Sequence, residues 1–507
     1  MKKFVVVVIV MVTLLGVSLV AAETSALPGG GWWVFYQIAN VGGSDGTLMM
    51  QAYQEGDATD YIGADFVIVD GGALAFHPGL DPTYDPGNPA AGGRIGFDPE
   101  LPDGFEGAVV ISSDVPLAAV AQLGNNDSGS VGVDGGTATA FYQGIGGEKI
   151  DTKVMFPTVK HNYNDQTTTF YVQAAGADAD VTITYQMNDG TVHTQQTTIT
   201  ANHMFVFDPA NATPPVASTD CGSSATSPCM GAATVESTSG PIAGVVVEHP
   251  HSGSPAAFVL STRGFTPADQ DTKIIAPTIK NDFHGGTTGW SVQNAGTVTA
   301  TVNVTFTVTN ADEEALIGNQ YFDSEEIGPG KAVVFSKYKD NLGGMPAGTF
   351  AAAIATSDQP LVGAVNEAKS MDNVPDGKAK AVYACFGASS ATDTIAAPMV
   401  KEMFNGKTTG VAVVNVGNQA ATIIATYTDA NGVAATCQTE VPVEPSAAFS
   451  FYKAFEKAGL TGVRPGEGSK NSVVYTTDNG EPIVALAQES DPTAKALDIK
   501  NYEGFNQ

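Results

Sequence analysis

Residues 272–308 read TKIIAPTIKNDFHGGTTGWSVQNAGTVTATVNVTFTV. Between Ala300 and Val308, apolar residues alternate strictly with threonine and asparagine. A period of two with β-branched residues is typical of a strand that has one buried face and one solvated face. The stretch therefore predicts a strand that packs on one side against a core.

The same pattern returns elsewhere in the chain. Stretches beginning at Thr152 and Thr392 read TKVMFPTVKHNYNDQTTTFYVQAAGADADVTITY and TDTIAAPMVKEMFNGKTTGVAVVNVGNQAATIIATY. Marker residues recur in register at a spacing of about 120 residues, which predicts a tandem repeat. The markers are the opening prolines Pro157, Pro277 and Pro398, the lysines Lys160, Lys280 and Lys401, the asparagines Asn40, Asn294 and Asn415 (Ala174 in the second repeat), the glycines Gly42, Gly176, Gly296 and Gly417, and the later prolines Pro116, Pro241, Pro360 and Pro482.

A period of about 120 residues suits a self-contained sandwich and is too long for a propeller blade. We expect an all-β fold of four tandem antiparallel β-sandwich, immunoglobulin-like domains. We call the strand that carries the opening proline and the repeated lysine the opening strand. Repeat 1 diverges, because it lacks this strand and carries a long insertion over Phe76–Leu101. The expected segments are a signal peptide over 1–22, repeat 1 over 23–150, repeat 2 over 151–271, repeat 3 over 272–391 and repeat 4 over 392–507.

The order of a strand, Asn-x-Gly, a second strand and Pro-Gly resembles the CARDB-like and other immunoglobulin-like repeats of secreted bacterial surface proteins. In repeat 3 the matching pieces are SVQNAG (291–296), TVNVTFTV (301–308) and IGPGKAVVFS (327–336). The resemblance implies an immunoglobulin-like fold and a role as a spacer, stalk or adhesive module.

The first 22 residues read as an export signal. Lys2 and Lys3 precede an apolar run from Phe4 to Val20, and small residues follow at a cleavage site ending in Ala22. An uncleaved membrane anchor is the alternative, but the run is at the short end of what spans a bilayer. We therefore expect a secreted, extracellular or cell-surface protein with no membrane span after cleavage.

The net charge of the chain limits the partners that it can bind. The chain of 507 residues carries 53 Asp plus Glu against 23 Lys plus Arg, a net charge of −30. A surface this acidic repels nucleic acid and anionic lipid, so neither is an expected partner.

Four cysteines in an exported chain predict disulfides. Cys221 and Cys229 flank a short flexible loop, and their spacing fits no zinc or haem motif. Cys385 and Cys437 lie on predicted strands, where a bridge would either join repeats 3 and 4 or staple repeat 4 internally. The loop-entropy relation gives roughly 2.5 kcal/mol for the first bridge and about 4 kcal/mol for the second.

Candidate ligand residues are few, and no catalytic motif occurs in the sequence. Glu248-His249-Pro250-His251 could hold a metal, but we interpret it as a surface loop after a strand with no third ligand nearby. No cofactor is expected apart from calcium, whose oxygen ligands aspartates on loops could supply. Those aspartates are Asp81, Asp85 and Asp98 in repeat 1, and Asp269 and Asp271 at the junction of repeats 2 and 3.

Taken together, these patterns favour a structural, adhesive or surface-layer protein that assembles with itself or with other cell-surface components. The alternative is a carbohydrate- or protein-binding module that uses loops of repeat 1. A secreted hydrolase is the third alternative, and we do not expect an enzyme, because duplicating one sandwich provides length and multivalency more directly than an active site.

We expect the mature protein to begin near Glu23, because signal peptidase selects small residues such as those preceding it. N-terminal sequencing of protein recovered from the medium or the envelope measures this. Retention of Met1 in surface-exposed protein would contradict the prediction.

Overall fold

A computed structural model describes residues 4–8, 27, 32–54, 59–63, 65–70, 72–76, 97–99, 101–102, 104–125, 138–223, 225–251, 258–370, 378–429, 432–452, 459–490 and 500–506. These residues form antiparallel sheets with short 3-10 turns, and no α-helix occurs among them, which confirms the predicted all-β class. The chain divides into two compact units, an N-terminal unit (Met1–Ala268) and a C-terminal unit (Asp269–Gln507). Each unit contains two of the sequence repeats. Whether each repeat is a separate immunoglobulin-like domain stays a prediction.

In the first half of the N-terminal unit, one sheet has the order β11-β1-β8-β3-β4-β7, with β5 also on β3, and another has the order β10-β9-β2-β6. The strands are β1 (Phe4–Val8), β2 (Trp32–Asn40), β3 (Gly46–Gln54), β4 (Asp60–Gly63), β5 (Phe66–Ile68), β6 (Ala73–Phe76), β7 (Phe97–Asp98), β8 (Gly107–Ser113), β9 (Leu117–Asn125), β10 (Ala138–Gln143) and β11 (Ile145–Gly146).

The second half of this unit has the order β15-β14-β17-β12-β13-β18-β19, with β16 on β13. The strands are β12 (Lys153–Tyr163), β13 (Gln166–Ala174), β14 (Ala179–Met187), β15 (Val192–Ile199), β16 (Met204–Phe207), β17 (Met230–Ser237), β18 (Ile242–Pro250) and β19 (Leu260–Arg263).

In the C-terminal unit, repeat 3 has the order β23-β22-β25-β20-β27, with β21 between β24 and β25 and with β26 on β25. Its strands are β20 (Asp271–Asn281), β21 (Gly286–Asn294), β22 (Ala300–Ala311), β23 (Gln320–Ile327), β24 (Ala332–Ser336), β25 (Thr349–Ser370), β26 (Lys378–Ala384) and β27 (Phe386–Gly387).

Repeat 4 has two sheets, ordered β33-β31-β30-β34-β28-β37 and β32-β29-β35-β36. Its strands are β28 (Thr394–Glu402), β29 (Thr408–Asn415), β30 (Ile423–Asp429), β31 (Gly432–Thr439), β32 (Ala448–Phe451), β33 (Leu460–Gly462), β34 (Ser469–Thr477), β35 (Ile483–Ser490), β36 (Lys500–Glu503) and β37 (Phe505–Asn506).

The alternating stretch of repeat 3 behaves as its pattern predicts. Along β22, Ala300, Val302, Val304, Phe306 and Val308 are at most 1% exposed and belong to one core that also includes Trp290. Thr301 and Asn303 face solvent on the opposite side. The period of two therefore confirms a strand that covers a core.

The repeated asparagine has a structural role at the bend between two strands. Asn294 donates through Nδ2 to the carbonyls of Val298 (2.7 Å) and Ile327 (2.8 Å), and its Oδ1 accepts from Gly296 N (2.8 Å). Asn40 and Asn415 make the same three bonds in repeats 1 and 4. In repeat 2, where Ala174 stands at this position, the Oδ1 of Asn202 accepts from Gly176 N instead.

In repeats 1 and 4, the repeated glycine and the later proline approach each other closely in space. A Cβ added at Gly42 would lie 2.6 Å from Cδ of Pro116, and one added at Gly417 would lie 3.0 Å from Cδ of Pro482. Only glycine leaves room for this approach. Pro116, Pro241 and Pro482 directly precede β9, β18 and β35, as expected of a residue that starts a strand.

One sequence-based expectation about strands is wrong. The pattern around Pro360 predicts two strands, near Thr349–Ala355 and Leu361–Asn366, and the structure has one continuous strand, β25, with a shift of register between Thr356 and Leu361. Repeat 1 lacks the strand with the opening proline and lysine, and β1 pairs with β8 and β11 in the place that β20 takes against β25 and β27. The N-terminal segment supplies that strand.

The two repeats within each unit share buried apolar residues. In the N-terminal unit, Ala108 and Ile145 of repeat 1 belong to one buried cluster with Ala243 and Val245 of repeat 2. In the C-terminal unit, a buried cluster joins residues of repeats 3 and 4 at equivalent positions. The residues of that second cluster include Ala352 and Phe386 of repeat 3 and Val414 and Val484 of repeat 4.

We predict that Asn294→Ala lowers the free energy of unfolding of the C-terminal unit by about 1–3 kcal/mol, because the buried carbonyl of Ile327 and the partly buried carbonyl of Val298 lose their donor. Chemical denaturation followed by tryptophan fluorescence measures this. Asn303→Ala is the matched control on an exposed position, with an expected change within about 0.5 kcal/mol. Equal effects of the two substitutions would contradict the role assigned to Asn294.

Candidate functional site

The repeated lysine forms a buried ion pair in repeats 2, 3 and 4. Lys160 Nζ lies 2.8 Å from Glu248 Oε1, and Lys401 Nζ lies 2.6 Å from Glu489 Oε2. Lys280 pairs with Glu367 in the same way, and the side chain of Glu367 is 0% exposed. Each lysine lies on an opening strand, and each glutamate lies on the strand segment that follows the later proline.

In repeat 4 the ion pair links strands of two different sheets. In repeat 4, β28 and β35 belong to different sheets, so the ion pair of Lys401 and Glu489 crosses between them. Isolated buried charges are strongly unfavourable, and a close pair with further hydrogen bonds offsets most of that cost. The pair therefore fixes the opening strand against the opposite sheet.

Sequence reasoning found the lysines but missed the glutamates. Each glutamate follows the later proline by seven residues, at Glu248, Glu367 and Glu489. That constant offset is the signal that could have identified them. In repeat 1 the same offset leads to Leu123, which is 1% exposed, so an apolar side chain takes the place of the carboxylate.

In the C-terminal unit the ion pair of repeat 3 is also bonded to repeat 4. Gln488 Nε2 donates to Glu367 Oε2 at 2.9 Å, and Lys280 Nζ donates to Gln488 Oε1 at 3.3 Å. Gln488 Nε2 also donates to Asn501 Oδ1 at 3.0 Å. The Oε1 of Glu503 accepts from the backbone N–H of Ala384 at 2.6 Å. These bonds fix the register of repeat 4 against repeat 3.

We predict that Glu367→Leu lowers the unfolding free energy by about 3–5 kcal/mol, because Lys280 then stays buried without a countercharge. The double variant Lys280→Met/Glu367→Leu should recover most of this loss, since no uncompensated charge remains. Chemical denaturation measures both. The control is Glu236→Leu, which breaks a pair with Lys153 whose side chains are 60% and 34% exposed and should cost at most about 1 kcal/mol. A loss for the single variant no larger than the control would contradict the prediction.

A cluster of three histidines lies at one end of repeat 2, and it corrects the interpretation of residues 248–251. Glu248, His249 and Pro250 are buried in β18 rather than in a surface loop, because β18 pairs with β13 up to Pro250. His251 follows directly, and its ring centroid lies 5.4 Å from that of His161. Sequence reasoning missed His161, because it is distant in the sequence and approaches only through strand pairing.

Threonines of β13 orient two of these rings. The hydroxyl of Thr169 lies 3.0 Å from His249 Nε2, and that of Thr167 lies 2.7 Å from His251 Nδ1. His249 Nδ1 donates to the carbonyl of Pro250, so Thr169 donates to its neutral Nε2. His161 Nδ1 donates to the carbonyl of Val216 at 2.7 Å. These bonds fix the orientation of all three rings.

The surroundings of His249 and His251 disfavour protonation of these two rings. Burial lowers the pKa of His249 below the usual value for histidine, and the hydrogen bond to Pro250 and nearby carboxylates offset only part of this effect. Burial and the neighbouring His161 lower the pKa of His251, against the opposing charges of Asp165 and Asp208. The unfolded chain therefore binds protons more readily than the folded one as the pH falls below about 6.5.

We predict that the N-terminal unit loses thermal stability between pH 7.5 and pH 5, because His249 and His251 become protonated more readily in the unfolded chain. Melting temperatures of the wild type and of His249→Gln across this pH range measure the effect, and the substitution should flatten the profile. His284→Asn, at an exposed site in the C-terminal unit, should leave the profile unchanged. A wild-type melting temperature that is constant over the range would contradict the prediction.

One of the two predicted disulfides is confirmed, and the other is wrong. Cys221 and Cys229 form a disulfide. Cys385 and Cys437 are separate buried thiols, because each side chain lies in the interior of its own repeat. Cys385 belongs to the core of repeat 3, and Cys437 lies on β31 opposite Ala425 of repeat 4. Burial raises the pKa of the Cys385 thiol well above its ordinary value.

The structure describes three of the five predicted calcium ligands. Asp81 and Asp85 lie outside the described residues, Asp98 lies in β7, and Asp269 lies in the short turn Pro267–Asp269. The carboxylate of Asp271 accepts backbone hydrogen bonds from Lys273 (3.0 Å) and Ser389 (2.7 Å). Within the part of the chain that the structure describes, no group of three or more His, Cys, Asp or Glu residues is placed to hold a metal ion.

No helix among the described residues is long and apolar enough to cross a membrane. No family model and no curated protein matches the chain.

Two solved structures are similar in part. One is a crystal structure of Thermotoga maritima 1070, which is 20% identical, with 23% of this chain and 94% of that chain covered and a TM-score of 0.19. The other is an anti-sigma factor domain-containing protein, which is 9% identical, with 88% of this chain and 94% of that chain covered and a TM-score of 0.11.

Proposed function

We propose that this chain is exported and acts as a structural or adhesive protein at the cell surface or in the extracellular space. In this proposal its four repeats are tandem immunoglobulin-like β-sandwich domains of a surface layer or an extracellular filament. The proposal extends to self-assembly or binding of other cell-surface components.

The observation that carries the proposal is the packing of repeats in pairs. In both units, a buried apolar cluster contains residues of the first and the second repeat at equivalent positions. The hydrogen bonds of Gln488 and Glu503 with repeat 3 fix the position of repeat 4 on repeat 3 in the C-terminal unit. Paired repeats with a fixed register suit a load-bearing building block better than a flexible string of binding modules.

The interfaces between repeats join unlike faces. In the C-terminal unit, Ala352 and Phe386 lie on strands that pair with the opening strand of repeat 3. Val414 and Val484 lie in the sheet of repeat 4 that does not contain its opening strand. Contacts between unlike faces can continue from one copy to the next, which like-to-like contacts cannot do. This supports assembly as the function of the repeated architecture.

The experiment measures self-association of the protein that begins at Glu23. We expect sedimentation velocity to show larger species as the concentration rises and electron microscopy to show regular arrays or filaments. The matched variant begins at Asp151, lacks repeat 1 and should assemble less. A protein that stays monomeric at all concentrations and binds a soluble glycan in an array screen would contradict the proposal and favour the alternative binding module.

A further inference from the structure

The opening strand of repeat 1 comes from the extreme N-terminal segment. Val5, Val6 and Val7 of β1 lie opposite Ser112, Ile111 and Val110 of β8. On its other side, β1 pairs with β11 through Val6 and Val7. The strand is therefore paired along both of its edges, and it joins β8 to β11.

The other repeats supply this strand from residues that follow their own junctions. β12 pairs with β17, β20 pairs with β25 and β27, and β28 pairs with β34 and β37. These opening strands are buried on both faces over most of their length, as from Val154 to Pro157 and from Ile274 to Ile279. The position therefore requires a strand that is apolar on both faces.

Removal of the predicted signal peptide would take this strand away from repeat 1. The residues left before β2 read ETSALPGGG (23–31), and Pro28 with three successive glycines is a poor strand sequence. Leu27 is 3% exposed and belongs to the buried cluster of the N-terminal unit, so this part of the segment already has a position. After cleavage, the edge of β8 loses its partner.

We propose that cleavage of the signal peptide makes repeat 1 a strand acceptor. The site lies between β8 and β11, and it binds an extended segment of a partner polypeptide by β-strand addition. The segment runs antiparallel to β8, spans at least the length of β1 and is apolar on both faces, as the opening strands of repeats 2 and 3 are. This inference rests on the export and cleavage in the proposed function.

Two properties of the acceptor give the site its affinity. The backbone N–H and C=O groups of residues 109–113 that face β1 have no other strand beside them once it leaves, so they favour a new ladder. Val109, Ile111 and Ile145 are buried, at 2%, 0% and 2% exposure, and they belong to the core beneath the site. An apolar strand would keep that core covered.

The test uses the chain that begins at Glu23 and a synthetic peptide of residues 2–10, KKFVVVVIV. We expect saturable binding of one peptide per chain and slower amide hydrogen exchange in residues 107–113, by at least about tenfold. The control peptide carries Val6→Pro, which removes a ladder donor and should abolish both effects. The expected result is binding by the first peptide and none by the second.

Equal behaviour of the two peptides, no binding, or full protection of residues 107–113 before any peptide is added would overturn the inference. If the shortened chain is insoluble, co-expression with residues 1–22 as a separate peptide replaces the titration. Rescue of solubility by the native peptide but not by the Val6→Pro peptide supports the acceptor, and rescue by both or neither overturns it. Self-association is measured separately, so its failure leaves this test interpretable.

Discussion

A lysine and a carboxylate can be buried together only if their charges meet, and this requirement controls how repeats 2, 3 and 4 are built. The lysine is fixed on the opening strand and the glutamate on a strand that is more than 80 residues later in the chain. Their contact requires the opening strand to lie in one register and at one depth in the sandwich. The asparagine bend of repeats 3 and 4 and the glycine–proline contact of repeat 4 occur beside that ion pair in the same repeats.

Much of the fold was readable from the sequence, because its signals are local. The alternation from Ala300 to Val308 gave a correct strand, and the spacing of Asn294 and Gly296 marked a bend that their hydrogen bond explains. The ion pairs and the histidine cluster depend on residues that meet only after the sheets form. Thr167 and His251, for example, are 84 positions apart, and no local pattern connects them. Pro360 does not begin a new strand, because β25 continues through it with a shift of register between Thr356 and Leu361.

Repeat 2 differs from its neighbours in how it stabilises one end. It combines the disulfide between Cys221 and Cys229 with His161, whose backbone N–H donates to the carbonyl of Cys229 at 2.9 Å. The ring of His161 also holds the carbonyl of Val216, a few residues before the disulfide loop. The disulfide and the two hydrogen bonds of His161 thus fix the same segment.

The continuous strand β25 has a mechanical consequence for repeat 3. Its 22 residues pair first with β20 and β22 and then with β21 and β26, so one backbone belongs to both layers. At about 3.3 Å per residue, this is on the order of 70 Å of extended chain. A pulling force along β25 would load the hydrogen bonds of several neighbouring strands in parallel as shear. The two layers of repeat 3 therefore share one strand, so a force that separates them must also break the hydrogen bonds of that strand.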